Sequence, residues 1–163
     1  MRVSASSGCN WPSCQRARRV IAVDTNILVY AHRGDTQWHD AAADALRTLA
    51  EGRANWALPW PCVHEFIATV THARVFKTPT PLAAALDQVD AWIESPSVVL
   101  LGEVEDYWDS FRTLLTQSRI AGPRVHDGRV AAICLAHNVR ELWTADRDFS
   151  FFPALKVRNP LVR

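Results

Sequence analysis

Four short apolar runs, each followed by polar loop chemistry or helical periodicity, constrain this chain more than any other feature. Val20-Ile21-Ala22-Val23 is continuous, too short for a helix, and reads as a strand buried on both faces. Asn55-Trp56-Ala57-Leu58 (stopped by Pro59), Val98-Val99-Leu100-Leu101 and Leu142-Trp143-Thr144 repeat the theme, and Leu155-Lys156-Val157 is a candidate fifth. Between them the apolar residues recur at helical spacing. Trp38 to Leu49, Val63 to about Arg74, Leu82 to Ile93, Trp108 to Arg119 and about His126 to His137 each predict a helix. Strands alternating with helices at this interval predict a parallel sheet covered on both faces. In such sheets ligands bind at the carboxyl ends of the strands. Two acids stand there: Asp24 directly after the first run, and Asp146 just after Leu142-Trp143-Thr144-Ala145.

Composition narrows the classes further. At 163 residues with 48% hydrophobic and 21% charged side chains, the chain has enough core for one domain without disulfides or a structural metal. Eighteen basic against 17 acidic residues exclude a polybasic binder that works by neutralising phosphates. No apolar run is long enough to predict a membrane span, and no apolar core precedes Val20 to predict a secretory signal, so the cytoplasm is the expected compartment. The charge is uneven: Arg2, Arg16, Arg18 and Arg19 all precede the first acid, Asp24. With Ser4, Ser6, Ser7, Gly8 and Pro12 and no periodicity, residues 1–18 read as a poorly ordered basic extension ahead of a domain over 19–163. Cys9 and Cys14 have no second Cys/His pair at zinc-finger distance, while Cys62 and Cys134 read as small core residues.

Each acid taken singly has a local explanation. Asp24 reads as a helix N-cap, Asp127 as a first-turn acid favoured by the helix dipole, and Asp146 and Asp148 as turn residues. Glu65 points away from the stripe of Val63, Phe66, Ile67 and Val70, so periodicity alone makes it a solvated glutamate. Together they say more. If Asp24, Asp127 and Asp146 converge at one sheet edge, each pair ~6 Å apart repels by roughly 3 kcal/mol at an effective dielectric near 20. Protons or a cation must then neutralise the cluster, and an all-oxygen set suits Mg²⁺ or Mn²⁺, the ions of phosphate chemistry.

Val23-Asp24-Thr25-Asn26-Ile27-Leu28-Val29-Tyr30 resembles the opening of a PIN-domain ribonuclease of the VapC toxin family. His64-Glu65-Phe66, His126-Asp127-Gly128-Arg129-Val130-Ala131-Ala132, Thr144-Ala145-Asp146-Arg147-Asp148-Phe149 and the closing Leu155 to Leu161 follow in that family's order, over residues 20–163. The resemblance implies an α/β fold of PIN-like, three-layer α/β/α type with a mostly parallel sheet of four to five strands. It implies a Mg²⁺- or Mn²⁺-dependent endoribonuclease, restrained by a cognate antitoxin protein. By motif position Asp24, Glu65 and Asp127 carry over as three of an acidic quartet, with Asp146 as the fourth and Asp148 as its alternative. Thr25 and Asn26 then stand behind the ligands, and Thr144 helps to place a water. Gly128-Arg129 departs from the small or apolar pair usual there and brings Arg129 toward the phosphate, or leaves it as a surface arginine.

An aspartyl-phosphate phosphatase needs a second Asp where Asn26 stands, and a receiver domain needs a lysine that only Lys77 or Lys156 supplies. Neither recruits Glu65 and Asp127. A non-catalytic PIN-like RNA- or protein-binding module is the alternative from another class, and its signature is a broken quartet. Apolar residues in excess on the helices at Val63–Val70 and Leu82–Ile93, with Trp60 and Trp92, predict a homodimer and a groove for the antitoxin.

Overall fold

The computed structural model describes residues 20–162. Strands β1 (Ile21–Val23), β2 (Trp56–Pro59), β3 (Val98–Leu101), β4 (Glu141–Trp143) and β5 (Val157–Arg158) form one sheet in the order β3-β2-β1-β4-β5. Every pairing is parallel, so each connection must cross over, through α-helices as far as β4 and through a short 3-10 segment (Arg147–Phe151) from β4 to β5. The helices are α1 (Thr25–His32), α2 (His39–Ala50), α3 (Trp60–Val70), α4 (Leu82–Ile93), α5 (Tyr107–Ser118) and α6 (Val125–Ala136). This is the predicted α/β architecture, with five strands. The proposed 1–18 extension, with Cys9 and Cys14, lies outside the described residues.

The chain builds β1, β2 and β3 outward in one direction, then returns to place β4 on the other flank of β1. The crossovers leaving β1 and β4 therefore diverge, and the crevice between their carboxyl ends is the binding position of an open parallel sheet. The register Val23↔Trp143 puts the ends of β1 and β4 side by side, and the Asp24 amide donates to the Trp143 carbonyl at 3.0 Å. Asp24 and the Thr144–Asp146 segment thus leave the sheet together. The core beneath them is continuous, with Val23, Leu28, Leu58, Phe66, Ile133 and Leu142 almost fully buried.

Local differences from the sequence reading have identifiable causes. Helix α1 was not expected: Ile27-Leu28-Val29 is an apolar run of strand-like composition, but burial of all three side chains against α2 and α3 overrides that propensity. Helix α3 begins at Trp60, earlier than predicted, because Pro61 falls in its first turn where no amide donor is needed. It stops at Val70 rather than Arg74, and Thr80 then donates its amide to the Val70 carbonyl at 2.8 Å. Pro59 closes β2 as its last residue instead of lying beyond it. On α6 a Cβ at Gly128 would stand 2.6 Å from Leu115 Cδ2, so this glycine permits the close packing of α5 on α6.

Candidate active site

Four separate elements deliver carboxylates to the crevice. Asp24 follows β1, Glu65 projects from the middle of α3, Asp127 occupies the first turn of α6, and Asp146 follows β4. Asp24, Glu65, Asp127 and Asp146 all line one cavity of about 330 Å³. Asp24, Glu65 and Asp127 also line an adjoining cavity of about 350 Å³, so the acids form the wall shared by two lobes of one depression.

Asp24 occupies the N-cap position of α1, yet its side chain makes no cap bond to the helix. Instead its Oδ2 accepts from Asn26 Nδ2 at 2.6 Å and from Thr144 Oγ1 at 2.7 Å. The N-cap explanation therefore does not account for this residue. Asn26 is the tie between the two strand ends: Nδ2 also reaches Thr144 Oγ1 at 3.0 Å, and Oδ1 accepts from the Ala145 amide at 3.0 Å. Thr144 Oγ1 accepts from the Asp146 amide at 2.9 Å, which fixes the chain entering Asp146. Asn26 and Thr144 thus both bond directly to Asp24. Thr25 Oγ1 donates to Glu65 Oε2 at 2.6 Å, joining α1 to α3.

Glu65 is solvent-exposed, as its periodicity indicated, but its exposed face is the depression itself. A helical wheel distinguishes buried from exposed and cannot tell open solvent from a cleft. Asp148 separates from Asp146 by its partners. Its Oδ2 accepts from Arg124 Nε at 2.9 Å, and it lines neither lobe. Asp146 Oδ1 accepts the Asp148 amide at 2.8 Å, so part of its carboxylate does serve the turn. Sequence reasoning missed Cys62, whose thiol stands 3.7 Å from Asp24 Oδ1, and missed Tyr30, Val75 and Phe76 as lining residues. Nothing in their local pattern distinguishes them from ordinary core or loop residues.

Burial dominates the electrostatics. Asp24 is only 5% exposed, and its carboxyl is pushed up to about 6 by desolvation, with Glu65 adding repulsion and the Thr144 bond opposing. Asp127 is also pushed up to about 6, first by desolvation and then by Asp146, Asp148 and Glu65, with His126 opposing. Desolvation is the larger cause at both acids, and mutual repulsion comes second at Asp127. Among the described residues, no group of three acids, histidines or cysteines is close enough to grip a metal ion unaided. The donor set nonetheless fits a hard divalent cation, since Mg²⁺ keeps several waters and takes only one or two carboxylates directly. Two carboxylates whose charge is disfavoured by burial gain most from such a cation.

A model of the PIN domain matches residues 21–154. A VapC ribonuclease of Mycobacterium bovis is 37% identical over 142 residues, covering 87% of this chain and 96% of the relative. Among solved structures, VapBC-1 from nontypeable Haemophilus influenzae superposes with a TM-score of 0.61 at 18% identity, covering 88% of this chain and 99% of that one. VapC20 of Mycobacterium tuberculosis, described as a sarcin–ricin-loop-cleaving toxin, gives 0.60 at 17% identity, covering 80% and 92%. At those identities the structural matches speak for the fold.

Proposed function

The chain belongs to the PIN-domain family, among its VapC ribonucleases, and on that premise we propose that it is the metal-dependent endoribonuclease toxin of a toxin–antitoxin pair. The observation that carries the reading is the meeting of Asp24, Glu65, Asp127 and Asp146, from four elements, around one depression at the switch point of a parallel sheet. We assign these four as the catalytic acids, with Asp148 engaged instead by Arg124. Mg²⁺ is the cation the donor set suits best, with Mn²⁺ its nearest substitute. Such an ion supplies an activated water and stabilises negative charge on the scissile phosphate.

The chain's own residues prepare that chemistry. Asn26 and Thr144 hold Oδ2 of Asp24, while Oδ1 faces the Cys62 thiol. Thr25 fixes Glu65 in the rotamer that reaches the depression. Burial keeps Asp24 and Asp127 ready to release protons near pH 6, so a cation binds in exchange for protons. RNA is the substrate, the antitoxin and a second copy of the chain are the partners, and the cytoplasm is the compartment. No described helix is long and apolar enough to cross a membrane. Leu82, Leu86 and Ile93 on α4 are exposed apolar residues and furnish the surface for pairing of copies.

The test is cleavage of RNA by purified protein with Mg²⁺, with excess EDTA, and by Asp127→Asn. Cleavage that needs the metal and is lost in the variant supports the reading. Undiminished cleavage in EDTA refutes metal dependence, and full activity of the folded variant refutes the assignment of Asp127.

A further inference from the structure

The two lobes flanking the acids differ in chemistry. The lobe reached by Asp146 is walled by Val29, Tyr30, Val75 and Phe76, and among the described residues no basic side chain lines it. The other lobe, between α3 and α6, carries His64, His126 and Arg129. An RNA strand crossing the acidic wall places backbone phosphates on both sides of the one cleaved. Among the described residues lining the two lobes, Arg129 is the one permanent cation.

Arg129 is built into that side rather than trailing from it. It sits half-buried in the first turns of α6, its Nε donates to Glu103 Oε1 at 2.8 Å, and Nη2 reaches the same oxygen at 2.8 Å. The guanidinium also lies beside the Tyr107 hydroxyl. The segment carrying Glu103 is itself fixed, because the Gly102 carbonyl accepts from His137 Nε2 at 2.9 Å. An ion pair with side chains 41% and 43% exposed contributes little to stability, so holding the fold together does not explain the arrangement. Both bonds converge on a single carboxylate oxygen, which leaves three N–H donors outside the pair, one of them engaged with the Tyr107 hydroxyl. A planar fork with donors to spare suits a phosphate.

We propose that Arg129 binds the RNA backbone phosphate adjacent to the scissile one, making the α3–α6 lobe a phosphate subsite. The proposal rests on the reading of the acids as an RNA-cleaving centre. Arg129 acts there on substrate affinity, and the acids act on the bond broken.

The experiment compares Arg129→Gln with Arg112→Gln, a distal exposed arginine on α5, in the full-length protein. Affinity for a fluorescein-labelled, random-sequence single-stranded RNA is measured by anisotropy with Ca²⁺ in place of Mg²⁺, across a salt series. Cleavage constants are measured separately with Mg²⁺. Arg129→Gln should raise KM about tenfold, the scale of a charged hydrogen bond to phosphate. It should leave kcat within about threefold, because a binding contact away from the reacting bond is lost. The slope of log affinity against log salt should flatten by about 0.7, one phosphate contact on a single strand. Arg112→Gln should change none of these. An unchanged slope and affinity in Arg129→Gln, with wild-type RNA binding intact, overturns the subsite. A fall in kcat at unchanged KM also overturns it, by moving Arg129 to the chemistry. Wild-type protein that binds RNA but cleaves none with Mg²⁺ or Mn²⁺ refutes the proposed activity, and the anisotropy series still decides the subsite. Wild-type protein that binds no RNA overturns both.

Discussion

Replacing Asp24 with asparagine tests the electrostatics of the site through stability alone. The buried carboxyl has its native pKa raised from 3.8 to about 6, mainly by desolvation. Between those two values the folded state binds more protons than the unfolded one, so unfolding free energy falls as pH rises through that window. Well below 3.8 the acid is protonated in both states and destabilises nothing, and at pH 4 its effect is still small. Above pH 7 it is ionised in both, and the folded state bears the full cost of a buried charge. A shift of about two units corresponds to roughly 3 kcal/mol at 1.36 kcal/mol per unit. Asparagine is a near-isostere of the protonated acid, and its oxygen can accept from Asn26 and Thr144 as Oδ2 does now. In EDTA, Asp24→Asn should therefore match wild type near pH 4 and exceed it by about 3 kcal/mol at pH 8. For a chain of this length that is a rise in Tm of about 6–12 °C. Acid effects away from the site cancel in the difference between the two proteins. Urea or thermal melts from pH 4 to 8 supply the measurement. A constant offset across that range, or a variant less stable than wild type at pH 8, would show that Asp24 carries no strained charge.

Other consequences follow from the same geometry. Mg²⁺ should raise the wild-type Tm at pH 8 and raise that of Asp24→Asn much less, as differential scanning calorimetry will show; equal shifts refute Asp24 as a ligand. Cleavage should fall below about pH 6 as Asp24 and Asp127 take up protons, and higher Mg²⁺ should move that limb to lower pH, since cation and proton compete. Asp146→Asn should lower kcat by roughly 10²-fold or more, the scale of losing an electrostatic contributor at the reacting centre. Asp148→Asn should cost far less, because Asp148 is engaged by Arg124; the reverse order in single-turnover cleavage exchanges their roles. Deleting residues 1–18 should preserve both Tm and cleavage, and loss of RNA affinity at low salt would assign the basic segment a binding role.

By itself, the sequence determined the kind of fold and the place where its acids gather. Short apolar runs spaced by helical periodicity leave few options but a covered parallel sheet, and an acid directly after such a run must stand at its carboxyl end. Local pattern made Asp24, Asp127 and Asp146 candidates, and motif order added Glu65. What the tertiary structure decided is which groups meet. The order β3-β2-β1-β4-β5 brings positions 24 and 144 into hydrogen-bond contact, a pairing that period and propensity do not encode. It turned the exposed side of α3 from open solvent into a cleft wall, and so gave Glu65 a place in the site. It separated Asp146 from Asp148 by supplying Arg124 to only one of them. It also set burial, the main cause of the raised pKa at Asp24 and Asp127, because desolvation depends on atoms contributed by several distant segments at once.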